Sequence, residues 1–187
     1  MGKIGSSPID RLIREINGWI NGDKNNKNPK ARGKLADLRH GLSEATEYRA
    51  WPHILRINRY AFDSSRSRAI WLTIAGGMAT LLDGKDEKYG NMGETLRTIV
   101  LNEGNKEEAL ASFEPRFRRL LSCRTAEEVC KQLTVAFRAA KQKNVSISFR
   151  KLYWDLEYWE NPERQVKIEW AKAYWGEKNA LEKGESQ

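Results

Sequence analysis

Residues 125–140, TAEEVCKQLTVAFRAA, decide the fold class. Thr125 stands three residues ahead of Glu128, the pattern in which a hydroxyl caps a helix N-terminus and a carboxylate reaches back to it. Val129, Leu133, Ala136, Phe137 and Ala140 then recur at the three-and-four spacing that gathers side chains on one face of a helix. A helix with a buried stripe is expected, with Lys131, Arg138 and Lys141 outside the core. The same period continues in both directions. Towards the C-terminus, Phe149, Leu152, Tyr153, Leu156 and Trp159 mark one helix, and Val166, Trp170, Ala173 and Tyr174 mark another, opened by Asn161-Pro162 and closed by Gly176. Lys178 to Gln187 reads as a polar tail.

Towards the N-terminus, Phe113, Phe117, Leu120 and Leu121 form a stripe whose first turn is expected to hold Pro115. The segment Asp83 to Asn105 is rich in Gly, Asn and charge, with one short helical pattern at Leu96, Ile99 and Val100, and is the expected boundary between two domains. Before it, a long helix starting near Ser65 should bury Ile70, Trp71, Ile74, Met78, Leu81 and Leu82, its Gly76-Gly77 pair marking a close approach by a neighbour. Pro52 is expected to stop a short helical turn over Ser43 to Ala50, and Ile54 to Phe62 follows. Leu35 and Leu38 belong to a helix that Asn28-Pro29 starts and Gly41 closes. The first helix, capped by Ser7 with Pro8 at its first position, buries Ile9, Leu12, Ile13, Ile16, Trp19 and Ile20 and gives way to the turn-forming run Asn21 to Asn28. Val145 to Phe149 is the one candidate strand, and it leads straight into a helix start. An all-α protein of two small helical bundles is expected, residues 1–104 and 105–187.

Hydrophobic residues make up 40% of the 187 and include 7 Trp, enough to build a core. Apolar runs break within about ten residues, short of the roughly 20 that span a bilayer, and no signal-like run follows Met1. Cys123 and Cys130 are the only cysteines and have no nearby His to complete a metal site. Two buried thiols in a cytoplasmic protein with no membrane contact are expected.

The net charge of +8 is unevenly spread: residues 1–70 carry +7 and 116–151 carry +8, whereas 85–115 and 152–187 each carry −3. Solvation alone does not require such segregation, so Lys30 to Arg68 and Arg116 to Lys151 read as two halves of a face for a polyanion. Catalysis would need a nucleophile with its base, a metal cluster or a glycine loop that cradles phosphate, and the sequence has none of these patterns. His40 at a helix end and His53 in a turn read as structural residues or phosphate contacts. Neither an enzyme nor a bound cofactor or metal is expected. Trp154 and Trp159 are candidates for stacking on bases, although the spacing assigns Trp159 to the core. The periodicity leaves Trp71, Trp154 and Trp175 at the edges of their stripes, between core and interface.

Arg116-Phe-Arg-Arg-Leu-Leu121, Leu152 to Trp159 (LYWDLEYW) and Glu163-Arg-Gln-Val-Lys-Ile-Glu-Trp-Ala171 resemble the small subunit of type I-E CRISPR Cascade, the CasB family. Ala36-Asp-Leu-Arg-His40 and Glu47-Tyr-Arg-Ala-Trp-Pro52 are similar to that family's basic helix and aromatic-Pro segment. The resemblance runs from about Leu35 to Trp175, and the acidic stretch 84–108 departs from it in being longer. It implies a non-catalytic, two-bundle subunit that sits with a second copy among the other Cascade subunits and their guide RNA. Such a subunit would hold target and displaced DNA strands without reading them, since guide pairing supplies the sequence discrimination. By the same resemblance and the charge map, Arg39, Arg66, Arg116, Arg118, Arg119 and Arg124 would contact phosphate, with Lys34, Lys141 and Lys143 added on charge alone. The competing expectation is a protein-interaction scaffold whose basic faces dock on acidic partners.

Overall fold

The computed structural model of the protein describes residues 7–25, 28, 30–82, 90–102 and 106–176. Among them the regular elements are α1 (Pro8–Lys24), α2 (Ala31–His40), α3 (Trp51–Leu55), α4 (Ser65–Leu81), α5 (Met92–Leu101), α6 (Lys106–Ser122), α7 (Ala126–Gln142), α8 (Phe149–Glu157) and α9 (Val166–Trp175). Short 3₁₀ turns occupy Glu47–Arg49 and Pro162–Arg164, and the described residues contain no strand. The protein is all α.

Capping side chains fix several of the starts. Ser7 Oγ accepts from the Asp10 N–H, Ser64 Oγ from Ser67 and Asn91 Oδ1 from Glu94, each satisfying an N–H that the first helical turn leaves without a partner. At α7, Thr125 Oγ1 accepts from the Glu128 N–H at 3.3 Å, as the sequence predicts. The reciprocal bond is displaced by one residue, because the Glu128 carboxylate accepts from the Arg124 N–H at 2.6 Å. Glu160, from beyond α8, takes the Ala126 N–H at 3.1 Å.

Four boundaries differ from the sequence reading, one of them the start of α9, which begins at Val166 because Asn161-Pro162 open the separate 3₁₀ turn Pro162–Arg164 instead. α1 continues through Asn21 to Lys24, and Asn25 closes it by donating its backbone and side-chain N–H groups to the Asn21 carbonyl. Pro52 does not end a helix but lies in the first turn of α3, where the missing N–H costs nothing. Pro115 lies well inside α6. The hydrogen bond it forfeits there would be to the Ala111 carbonyl, and both residues are exposed, on the solvent side of the helix.

α4 is the central element. It packs most extensively on α7 and also meets α1, α2, α3 and α8. Gly76 and Gly77 permit this crowding: a Cβ on Gly76 would sit 2.5 Å from Leu42 Cγ, and one on Gly77 would sit 2.6 Å from Phe149 Cε1. Trp71 is buried beneath them and is a core residue. α5 and α9 form a second close pair, with the Gly93 Cα against the Trp170 backbone, Arg97 donating to the Tyr174 carbonyl at 2.6 Å and Asn91 to the Glu169 carbonyl at 3.0 Å. The buried side chains before and after residue 104 belong to one continuous apolar cluster. The expected division at 104/105 itself lies outside the described residues, as do the Gly- and acid-rich runs 83–89 and 103–105 and the polar tail.

Candidate nucleic-acid interface

The cations of the first basic block are largely engaged inside the chain. Arg39 (α2) donates to the Ala79 carbonyl of α4 at 3.2 Å. Lys34 lies over the Trp19 ring at 4.7 Å. Arg49 pairs with Asp37, Arg32 with Asp23 and Arg68 with Glu47.

Arg66, in the first turn of α4, is the most heavily bound. Its guanidinium meets Glu157 at 3.1 Å and Glu160 at 3.4 Å and donates to the carbonyls of Leu156 and Glu157 at the end of α8. Burial alone would lower its pKa, but the hydrogen bond and charge of Glu157, reinforced by Glu160, hold it above the ordinary arginine value. A cation so placed caps the C-terminus of α8.

The second block is different. On α6, Arg118 is paired with Glu114 one turn earlier at 2.6 Å and lies 5.1 Å from the Trp175 ring centroid. Arg116 and Arg119 on the same helix are exposed, and their guanidinium groups have no partner among the described residues. The same holds for Arg124 in the connection to α7 and for Arg138 and Lys141 on α7. Lys143 follows the end of α7, half-buried and with a contact of its own. Val135, 65% exposed, and Lys131, paired with Glu44 at 3.1 Å, share the outer face of α7. The fold thus leaves two cationic stripes facing solvent, one on α6 and one on α7, joined by Arg124.

A cavity of about 540 Å³ lies where the α2–α3 connection, α4 and α7 meet, and its wall includes Glu44, Glu47, Arg68, Glu127, Lys131 and Cys130. Glu44 pairs there with Lys131 and Glu47 with Arg68, while Glu127 accepts a hydrogen bond from Ser65 Oγ at 3.3 Å. Burial pushes the Cys130 thiol up to about 12 and raises that of Cys123, so neither carries thiolate at neutral pH. No three His, Cys, Asp or Glu side chains among the described residues are grouped to hold a metal. No helix among them is long and apolar enough to cross a membrane.

One family model, described as CRISPR-associated protein Cse2, matches residues 34–175, about three quarters of the chain. The chain belongs to the Cse2 family. No curated protein and no solved structure matches it at a significant level. Cse2 is the small subunit of type I-E Cascade, a structural subunit of that family of complexes, so the partners of this chain include other Cascade subunits. The match starts within α2 and ends at the last residue of α9; α1 precedes it.

Two features of this Cse2 chain were not singled out from the sequence. Asp155 is 2% exposed, between Lys151 one turn earlier and Trp170 Nε1, which donates to it at 2.7 Å. Its position in the α8 stripe hints at burial, but its partner on α9 is fifteen residues away. Arg150 pairs with Asp10 of α1 at 2.9 Å, a contact across most of the chain that no spacing signals.

Proposed function

We propose that this Cse2 chain is a non-catalytic Cascade subunit that steadies the R-loop by holding DNA through phosphate contacts, chiefly from Arg116, Arg119, Arg124 and Lys141, with Arg138 beside them. One observation carries the reading: these cations remain exposed and without partners among the described residues, in a fold that pairs most of its other arginines. A guanidinium held by a carboxylate has little left to offer a phosphate, whereas a free one releases counterions from the DNA when it binds. Arg39, Lys34 and Arg66 are spent instead on joining α1, α2, α4 and α8, and Arg118 on a pair within α6. R-loop formation nearly balances one duplex against another, so a few non-specific contacts shift it. The two halves of the chain, the pairing with a second copy along the complex and a cytoplasmic site of action belong to this same reading. Exposed Ile168 and Trp175 on α9 suit a neighbouring protein subunit.

The test is charge reversal of Arg116 and Arg119 in a reconstituted Cascade. R-loop lifetime should fall while guide RNA and subunit stoichiometry are retained. An unchanged lifetime after Arg124 and Lys141 are reversed as well would refute the proposal and favour a scaffold whose basic faces meet acidic proteins.

A further inference from the structure

Trp154 is 41% exposed on α8, in contrast to Trp159, which is buried in the core. Its ring is nearly parallel to that of Tyr158 one turn later, with centroids 5.9 Å apart and planes 17° apart. The Arg164 guanidinium lies over Tyr158 at 4.6 Å. Three planar groups therefore stack in series, and Trp154, which also meets the Tyr153 ring edge-on at 5.1 Å, keeps part of its surface open to solvent.

One turn before Trp154 on the same helix is Arg150, which helps to line a groove of about 390 Å³ between α1 and α8 together with Asp10, Arg14, Asn17, Gly18 and Asn21. Residues four apart on a helix lie about 5–6 Å from one another, so the groove and the stack are neighbours through Arg150 and Trp154. The groove favours an anion. The Asp10 carboxylate is already held by Arg150 and by Ser7 Oγ at 2.8 Å, whereas Arg14 is exposed with no partner among the described residues. Asn17 Oδ1, buried in the wall, accepts no hydrogen bond from the described residues and suits a donor such as a base or sugar group. Gly18 leaves the floor open, since a Cβ at that position would meet nothing within 4 Å.

We propose that α1 and α8 form a site for single-stranded nucleic acid, in which Arg14 in the groove takes a backbone phosphate and Trp154 stacks on an adjacent unpaired base. A phosphate and its base lie about one such step apart, and every base presents a planar face, so the site binds without regard to sequence. Paired bases keep their faces within the duplex, which restricts the stacking contact to opened strands. The proposal rests on the DNA-holding role above but uses other residues. One side of it comes from α1, which precedes the family match.

The experiment measures binding of the full chain to labelled oligothymidine and to a duplex of equal length across a salt series, by fluorescence anisotropy. It also follows quenching of 2-aminopurine placed in the single strand. Trp154→Ala should weaken single-strand binding roughly 5- to 100-fold without altering its salt slope. It should abolish the quenching and spare duplex binding, and Trp154→Phe should restore most of the loss. Arg14→Glu, on an exposed position, should lower the single-strand slope of log K against log salt by about 0.7. Wild-type binding and quenching in Trp154→Ala, or equal losses on single strand and duplex, would overturn the site. If reversal of Arg116 and Arg119 abolishes binding while the Trp154 and Arg14 variants bind normally, this site fails and the phosphate track stands. If neither the wild-type chain nor the assembled complex binds DNA, both fail.

Discussion

Asp155 shows how one residue sets a local balance that can be measured. Burial raises its carboxyl above the ordinary value, against the opposing hydrogen bonds from Lys151 and Trp170. The folded chain therefore binds that proton more tightly than the unfolded chain does. Between the ordinary carboxylate value and the raised one, this residue's contribution to stability falls as pH rises; above that window the loss is complete and constant. Asp155→Asn keeps an acceptor for Trp170 Nε1 but has no proton to exchange. Urea unfolding at a series of pH values from mildly acidic to neutral should show wild type losing ground relative to this variant through that window. Identical pH dependence in the two proteins would dismiss the argument. Asp155→Ala, which leaves the buried indole N–H with no acceptor, should cost about 1–3 kcal/mol, with the larger cost on the acidic side of that window.

At the scale of the helix, Gly18 and Gly77 make opposite predictions although both lie inside α-helices. The Gly77 Cα is pressed against Phe137 and Phe149, so an added methyl has no room; Gly18 faces open space. Gly18→Ala should stabilise α1 by about 0.5–1 kcal/mol, read as a higher urea midpoint with unchanged m-value, and Gly77→Ala should lower that midpoint. A Gly18→Ala protein no more stable than wild type would mean that helix propensity does not limit α1. Much at this scale was legible in the sequence. The stripes of α1, α4 and α7 and the caps Ser7 and Thr125 follow from spacing, and the Gly76-Gly77 pair announced its close contact. Pro52 and Pro115 were misplaced because proline disfavours a helical conformation in the residue before it yet is at home in a first turn, and the choice depends on neighbours distant in sequence. The candidate interface was half legible for the same reason. Spacing identified Arg116, Arg119 and Arg124 as exposed cations, but it could not show that Arg39 is drawn to a carbonyl forty residues away or Arg66 to α8, ninety-one residues on.

Arg66 also decides how the molecule behaves as a whole. Its guanidinium ties the start of α4 to the end of α8, and Glu160 on that cluster also caps α7, so three helices drawn from both sides of residue 104 converge on one cation. With a single apolar cluster spanning the chain, the two halves should unfold together. Thermal unfolding followed by far-UV circular dichroism and by tryptophan fluorescence should therefore give coincident transitions. Arg66→Met keeps the length of the side chain but leaves Glu157 and two carbonyls without their donor, in a partly buried site. A loss of about 2–3 kcal/mol is expected, smaller than for a fully buried pair because the guanidinium is partly solvated. The loss should appear as one shifted transition rather than as the early melting of one half. Separate transitions in the wild type would show two independently folded bundles and reduce Arg66 to a tether between them. An Arg66→Met chain of normal stability that had lost DNA binding would instead return this arginine to the phosphate track, because only a side chain free of Glu157 could contact DNA without contributing to the fold.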